Sequence, residues 1–340
     1  RDWFLQSQIE TRHKVRAYLH WQPQIYVDAH EMGRNSTYYF VPPTDPINPV
    51  LAPRQKKWLY DLGMNHAKWY DDFGFAYTTR EIFDAFYAGY GSEWPTLQGG
   101  LGILWEQAGT RGLIVDRDDE TKLLYRDAVK HHYVSCLATL DLASRRRQDL
   151  LLDFYDTRSQ AVRLGTEGPI KTFFLLPGSD PSRTDRLAQV LHRNGIELYR
   201  LVKPLKITGQ DIRSGKTGER RIPAGGYHIP VAQPTANLIR SLLDKSVEMD
   251  EEYIKQQLQR KAEYLPDQIY DVTAWSLPLA FDVACVAAEQ SYQPTGPLWD
   301  GKVVESRKPL TEAKVAYLVR PTDAALEALC LWLRQGLRVH

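Results

Sequence analysis

Residues 25–48, IYVDAHEMGRNSTYYFVPPTDPIN, constrain this chain more than any other stretch. A strand-like apolar run, Ile25-Tyr26-Val27, stops abruptly at Asp28-Ala29-His30-Glu31. A polar loop with Gly33, Asn35 and Ser36 follows, and then the paired prolines Pro42-Pro43. Such a run between turn signals reads as a buried strand. A histidine at the C-terminal end of a buried strand is placed as a metal ligand or a catalytic base is placed, so the question becomes whether His30 has partners.

A second run of the same kind lies downstream. In GGLGILWEQAG the apolar residues Leu101–Trp105 end in Glu106, followed by Ala108-Gly109. A carboxylate closing a buried strand costs free energy unless it is paired, metal-linked or functional. Hydrogen bonds from nearby backbone amides would satisfy an ordinary strand-end carboxylate equally well. A zinc hydrolase needs three protein ligands, an open position for water and a carboxylate to take the water's proton. His30 is a candidate for the first role and Glu106 for the last.

The rest of the chain reads as mixed α and β. Helices are expected over Leu5–Leu19, Pro53–Gly74 and Thr78–Phe86, and strands over Gln24–Val27 and Gly99–Gln107. A long helical pattern spans Glu120–Arg163 and bends or breaks near Ser144–Arg147. A boundary follows at Leu164–Pro169, dividing the chain into domains of residues 1–165 and 166–340. Beyond it, strands (Lys171–Leu176, Ile196–Leu201, Tyr227–Val231, Val315–Val319) alternate with helices (Pro181–Arg193, Ala236–Leu243, Ala324–Arg334). That alternation predicts an α/β fold with a parallel sheet and helices on both faces. The segment Leu337–His340 reads as the start of another strand, so the chain looks like an excerpt of a longer protein.

Charge excludes some functions. Lys and Arg total 43 and Asp and Glu 42, which gives no electrostatic case for nucleic acid or an anionic membrane. Arg145-Arg146-Arg147 reads as a solvated helix face. No stretch approaches the roughly 18–20 apolar residues of a membrane span. Cys136, Cys285 and Cys330 are far apart, odd in number and set among apolar neighbours, so buried thiols are expected, with Cys285 in a helix-like run Leu277–Ala288.

Taken together, four segments resemble the zinc carboxypeptidases of the carboxypeptidase A type (peptidase family M14). Arg1-Asp2-Trp3 is similar to the tail of the family's Asn-Arg-(Asp/Asn)-(Trp/Phe) motif. Tyr26–His30 is similar to the strand that delivers the third zinc ligand. Tyr87, followed by Gly89, Gly91 and Trp94, resembles the family's mobile-loop tyrosine. Glu106 closes the strand that carries the general base, 76 residues after His30, a separation similar to the family's. The resemblance covers residues 1 to about 115.

The resemblance implies a zinc ion held by His30, a peptide substrate whose terminal carboxylate pairs with Arg1, a hydrogen bond from Tyr87, and Glu106 as general base. It implies Asp28 as a partner of His30, and export to the periplasm or the exterior. Residues 166–340 resemble, in pattern, a glutamine-amidotransferase-like, flavodoxin-like module attached to bacterial members. No cysteine there sits at a strand-to-helix elbow.

One departure matters. The family's first two zinc ligands come from a His-x-x-Glu motif, and none of the nine histidines here has Glu three residues later. Either those ligands lie outside these 340 residues, or the chain is a non-catalytic, peptide-binding relative on the same scaffold. Of the other candidates, His66 reads as a core residue, and His131-His132 diverge by about 100° around a helix, unsuited to one metal. Glu31 points away from His30, and Tyr90 competes with Tyr87. Pro177–Asp180 reads as a turn with a helix N-cap, although such turns can hold phosphate. Asp271–Phe281 reads as packing in the second part. Among Glu81, Asp84 and Glu93, none is singled out as a specificity residue by sequence.

Overall fold

The computed structural model describes residues 1–268, 274–303 and 313–339. In chain order the elements are α1 (Ile9–Trp21), β1 (Ile25–Met32), β2 (Tyr38–Phe40), β3 (Thr44–Ile47), α2 (Pro53–Phe73), β4 (Tyr77–Thr78), β5 (Asp84–Ala85), α3 (Glu93–Leu97), β6 (Leu101–Ala108), β7 (Ile114–Asp116), β8 (Lys122–Leu124), α4 (Tyr125–Arg145) and α5 (Arg147–Glu167). There follow β9 (Thr172–Leu175), α6 (Pro181–Arg193), β10 (Tyr199–Arg200), β11 (Leu205–Asp211), β12 (Thr217–Ile222), β13 (Tyr227–Pro230), α7 (Ala236–Leu243), α8 (Glu251–Ala262), α9 (Leu277–Ala280), β14 (Cys285–Ala288) and α10 (Asp323–Arg334). The chain is of mixed α/β class.

It separates into two compact units. The first is Arg1–Leu164 with Pro234–Trp275; the second is Gly165–Gln233 with the residues from Ser276 onward. The cut after Leu164 is where the sequence places it, but Pro234–Trp275, assigned by sequence to the second domain, belongs to the first unit.

In the first unit, four strands form a sheet in the order β1-β6-β2-β4. β1 and β6 run parallel from Ile25↔Leu101 to Met32↔Ala108, and β2 pairs antiparallel with β6. Side chains alternate between the two faces of a strand. One face carries Trp105, Tyr38 and Phe40. It packs on helices α2 and α4, where His66 stacks near Phe40 and Trp105 and Tyr38 meets His132. α2 turns Trp58, Leu59, Leu62, His66 and Tyr70 inward at helical spacing. Burying a residue such as Leu62 or Tyr70 contributes about 1.5–3 kcal/mol. The opposite face carries Asp28, His30, Leu104 and Glu106.

Three local expectations change. β1 does not stop at Val27 but continues to Met32, because β6 goes on pairing with it. α1 begins at Ile9, not Leu5, because the Asp2 carboxylate accepts hydrogen bonds from the Ser7 and Gln8 amides, both at 2.9 Å, and turns the chain there. Thr78–Phe86 forms no helix. Arg80 and Ile82 adopt left-handed φ of 59° and 65°, and the flanking residues pair into β4 and β5. Tertiary pairing overrides local helix propensity there.

The second unit corrects the expectation of a parallel, flavodoxin-like sheet. Its six strands, in the order β10-β13-β9-β14-β11-β12, pair antiparallel throughout. β9 and β10 run in the same direction, as a helical crossover through α6 leads one to expect. β13 lies between them and runs the opposite way. The hairpin of β11 and β12, absent from the sequence reading, supplies the chain reversal. Its signals are an alternating burial pattern in β11 and a left-handed Gly215 at the turn, φ 71°. β9 is the central strand and buries Phe173, Phe174 and Leu175 completely.

Residues 315–319 and 337–339 form no strand; His340, and residues 271–273 of the expected packing segment, lie outside the described residues. Cys285 lies on β14 and is buried, whereas Cys136 and Cys330 are exposed, contrary to the expectation of three buried thiols and of a helical Cys285. Both sit on the outer faces of their helices. Asp180 caps α6 by accepting from the Ser182 amide at 3.0 Å and also accepts from the Asp323 amide at 2.9 Å. A carboxylate thus occupies the helix N-terminus at which an anion would otherwise bind.

Candidate functional site

The parallel register of β1 and β6 sets His30 directly opposite Glu106. Because paired residues of adjacent strands share a face, the two runs singled out in the sequence converge on one point of the sheet. Asp28, two residues earlier on the same face, places Oδ2 2.8 Å from His30 Nε2. The His30 side chain is 51% exposed, and Glu106 is 8% exposed.

These neighbours set the protonation chemistry. The Asp28 hydrogen bond raises the His30 pKa above its ordinary value; partial burial opposes it and the charges of Asp28 and Glu106 assist it. Burial pushes the Glu106 carboxyl up to about 7; His30 pulls it down and Asp28 pushes it up. Glu106 Oε2 has no hydrogen-bond partner among the described residues. The backbone-amide explanation of this carboxylate therefore does not account for that oxygen. A carboxyl poised near neutral pH with a free oxygen is equipped to take and return a proton.

Two segments lie over this face. Gly91 comes so close to β1 that a Cβ there would stand 2.2 Å from Asp28 Oδ2 and 2.8 Å from Trp3 Nε1. Only glycine fits while Asp28 holds His30. Trp3 packs edge-on against Tyr26 and tilted against Trp94, ring centroids 5.2 and 5.5 Å away, tying the N-terminal segment to β1 and to α3. Tyr87 packs against Phe4, Tyr90 and Trp275, and its hydroxyl lies 3.5 Å from the Arg1 carbonyl oxygen. His30 and Glu106 thus share one patch of the sheet, and Tyr87 meets the backbone of Arg1. Tyr87 does so as a buried ring and not as an exposed arm.

Trp275, read from sequence as part of the packing segment Asp271–Phe281 of the second part, belongs to the first unit. It backs both Phe86 and Tyr87, and its indole N–H donates to the Ser241 carbonyl at 2.8 Å. Its place far downstream hides its partners Phe86 and Tyr87 from any local pattern.

The remaining candidates are structural. His66 is fully buried, its Nδ1 2.8 Å from the Leu62 carbonyl oxygen, and burial lowers its pKa to about 4. His131 and His132 bond separately, to Gln107 and Tyr38, each at 2.9 Å. Among the described residues no group of three His, Cys, Asp or Glu is arranged to hold a metal ion. His30 fits as one ligand, since Asp28 on Nε2 would orient its other nitrogen as carboxylates orient metal-bound imidazoles. The donor set falls short of the three that a hydrolytic zinc requires. Among the described residues no helix is long and apolar enough to cross a membrane. Comparison with protein-family models, curated proteins and solved structures returns no match.

Proposed function

We propose that residues 1–164 carry part of the active site of a zinc-dependent carboxypeptidase, an enzyme that removes C-terminal residues from peptides. The observation that carries this reading is Glu106, a carboxyl raised to about 7, directly opposite His30 and its supporting Asp28. Zinc would be held by His30 together with two ligands from outside these 340 residues, and would supply a water of lowered pKa. Glu106 would act as the general base, holding a proton from such a water and returning it to the leaving amine. The Arg1 guanidinium pairs with the substrate's terminal carboxylate, for which its planar fork is suited. Tyr87 would donate a hydrogen bond to the bound peptide on turning its hydroxyl away from the Arg1 carbonyl. Export to the periplasm or the exterior is part of the same reading.

The test uses the natural protein in full. It is expected to hold one zinc and to release C-terminal amino acids in a chelator-sensitive reaction. Glu106→Gln should lower the rate by roughly two to four orders of magnitude while zinc stays bound. A full-length protein that binds peptides but no zinc would instead be a non-catalytic binding protein on this scaffold. Chelator-sensitive activity from residues 1–340 alone would refute the incomplete ligand set.

A further inference from the structure

The second unit leaves one edge of its sheet open. β12 stands last in the order β10-β13-β9-β14-β11-β12, so among the described residues no strand lies beyond it. Its inner side pairs with β11 from Leu205↔Ile222 to Gln210↔Thr217. Ile207 and Ile222, both buried, anchor this hairpin in one core with Phe174 and Val286. The ladder fixes which groups the edge offers. The Thr208 amide donates to the Tyr292 hydroxyl at 3.0 Å, so it points away from β12. In an antiparallel ladder a residue that turns away from its partner strand belongs to a non-hydrogen-bonded pair, and the residue opposite turns away as well. Opposite Thr208 stands Glu219. Glu219, and with it Thr217 and Arg221 two positions to either side, therefore turn their amide N–H and carbonyl groups out of the sheet. These groups have no backbone partner among the described residues.

Charge marks the same edge. Residues 203–222 carry six Lys or Arg and two acids. Both acids are engaged: Asp211 accepts from the Ser214 amide at 2.8 Å in the turn, and Glu219 pairs with Lys206 at 2.9 Å. Lys206 stands directly across from Arg221, and like charges so placed are unfavourable. Among the described residues Arg221, Lys203 and Lys216 have no acidic partner, and the Arg220 Nε has no hydrogen-bond partner. Positive charge along an edge strand opposes pairing with a second copy of the same edge. The same charge attracts a strand of opposite sign.

We propose that β12 receives an extended acidic segment of a partner protein as a seventh strand of this sheet. Main-chain bonds to Thr217, Glu219 and Arg221 hold the segment, the mode in which exposed sheet edges bind peptides. Side chains of a strand alternate between its faces, so every second residue of the segment lies on the face of Lys206 and Arg221, and carboxylates there meet both. The inference concerns the second unit and does not depend on the carboxypeptidase reading of the first.

The experiment measures binding of the 340-residue chain to the labelled peptide Val-Glu-Val-Glu-Val-Glu by fluorescence anisotropy. It is expected to bind about tenfold or more tighter than the same peptide with glutamine for glutamate, the scale of a charged hydrogen bond. Two N-methylated forms, one blocked at the three valines and one at the three glutamates, separate main-chain pairing from charge. Amides of alternate residues point to opposite sides of a strand, so one form should bind as the parent does and the other about tenfold or more weaker. Glu219→Pro removes an outward amide, no ladder bond to β11, and one acid. It should weaken binding about tenfold or more, whereas attraction by charge alone would strengthen it. If that variant does not fold, the N-methylated pair decides on the wild-type chain. Equal binding of the two N-methylated forms, or of the glutamate and glutamine peptides, overturns the proposal, as does no binding of any peptide. Binding of oligothymidylate without the acidic peptide would make the edge a nucleic-acid contact instead. Dimerisation in sedimentation that Glu219→Pro abolishes would make it a contact between copies, and either result sinks the acidic partner.

Discussion

Replacing Glu106 by Gln should stabilise the first unit, and only above a definite pH. The carboxyl is raised from 4.5 to about 7, chiefly by burial. Below pH 4.5 it is neutral in the folded and the unfolded chain, and glutamine imitates it. As pH rises from 4.5 to 7 the unfolded chain gives up the proton while the folded chain keeps it, so wild-type stability falls with pH. Above about pH 7 the full cost stands. The pKa difference converts to about 3 kcal/mol at roughly 1.4 kcal/mol per pH unit. Half of the neighbouring His30 side chain is exposed, so water screens part of this, and about 1–2 kcal/mol is the expected gain. For a unit of about 200 residues that is roughly 3–6 °C in Tm. Thermal unfolding of wild type and variant, followed by circular dichroism between pH 4 and 8, gives the difference directly. A glutamine amide also bonds differently from a carboxyl, which adds a pH-independent offset; the argument concerns the pH-dependent part. A Tm difference that stays flat from pH 4.5 to 7.5 would refute the claim that burial loads this carboxyl.

Gly91→Ala puts a methyl group 2.2 Å from Asp28 Oδ2, so Asp28 must withdraw from His30; overpacking of this kind costs about 1–3 kcal/mol. NMR titration of the His30 ring should show its pKa falling toward the ordinary 6.5, and an unchanged value would break the link between the glycine and the histidine. In the second unit His228 is 1% exposed, stacks on Phe174, and burial lowers its pKa to about 4. As pH falls from 6.5 to 4 the unfolded chain takes a proton that the folded chain refuses, so stability is lost over that window by up to about 3 kcal/mol. His228→Phe should abolish this share of the acid sensitivity in urea unfolding at pH 7 and pH 4.5, and an equal loss in variant and wild type would be evidence against it.

Much of the site was legible in the sequence because it depends on strand ends. Two apolar runs that each meet a charged residue, Ile25–His30 and Leu101–Glu106, are local patterns, and pairing them needed only the parallel register that the structure supplies. The helices α2, α6 and α7 were legible for a similar reason: periodic apolar faces and, at α6, an Asp-Pro start. What could not be read were facts about sequence-distant neighbours. Strand direction in the second unit depends on β13 inserting between β9 and β10. The Asp84 charge that adds to burial in raising Glu93, and the Asp28 carboxylate that leaves no room for a Cβ on Gly91, are neighbours that no spacing in the sequence relates to them. The outward-facing Cys136 shows the opposite failure. Apolar neighbours in sequence do not share a face when they sit on a helix.

The return of Pro234–Trp275 to the first unit has a consequence for how the molecule is made. A ribosome completes Tyr87 roughly 190 residues before Trp275, the ring that backs it, which at about 5–20 residues per second is a wait of roughly 10–40 seconds. During that interval the first unit lacks α7, α8 and Trp275, and Phe86 and Tyr87 have no partner from that segment. The contacts that finish the site are among the longest-range in sequence, the kind that form late and slowly. The patch around Tyr87 is therefore open to chaperones and to misassembly while that later segment is still to be made.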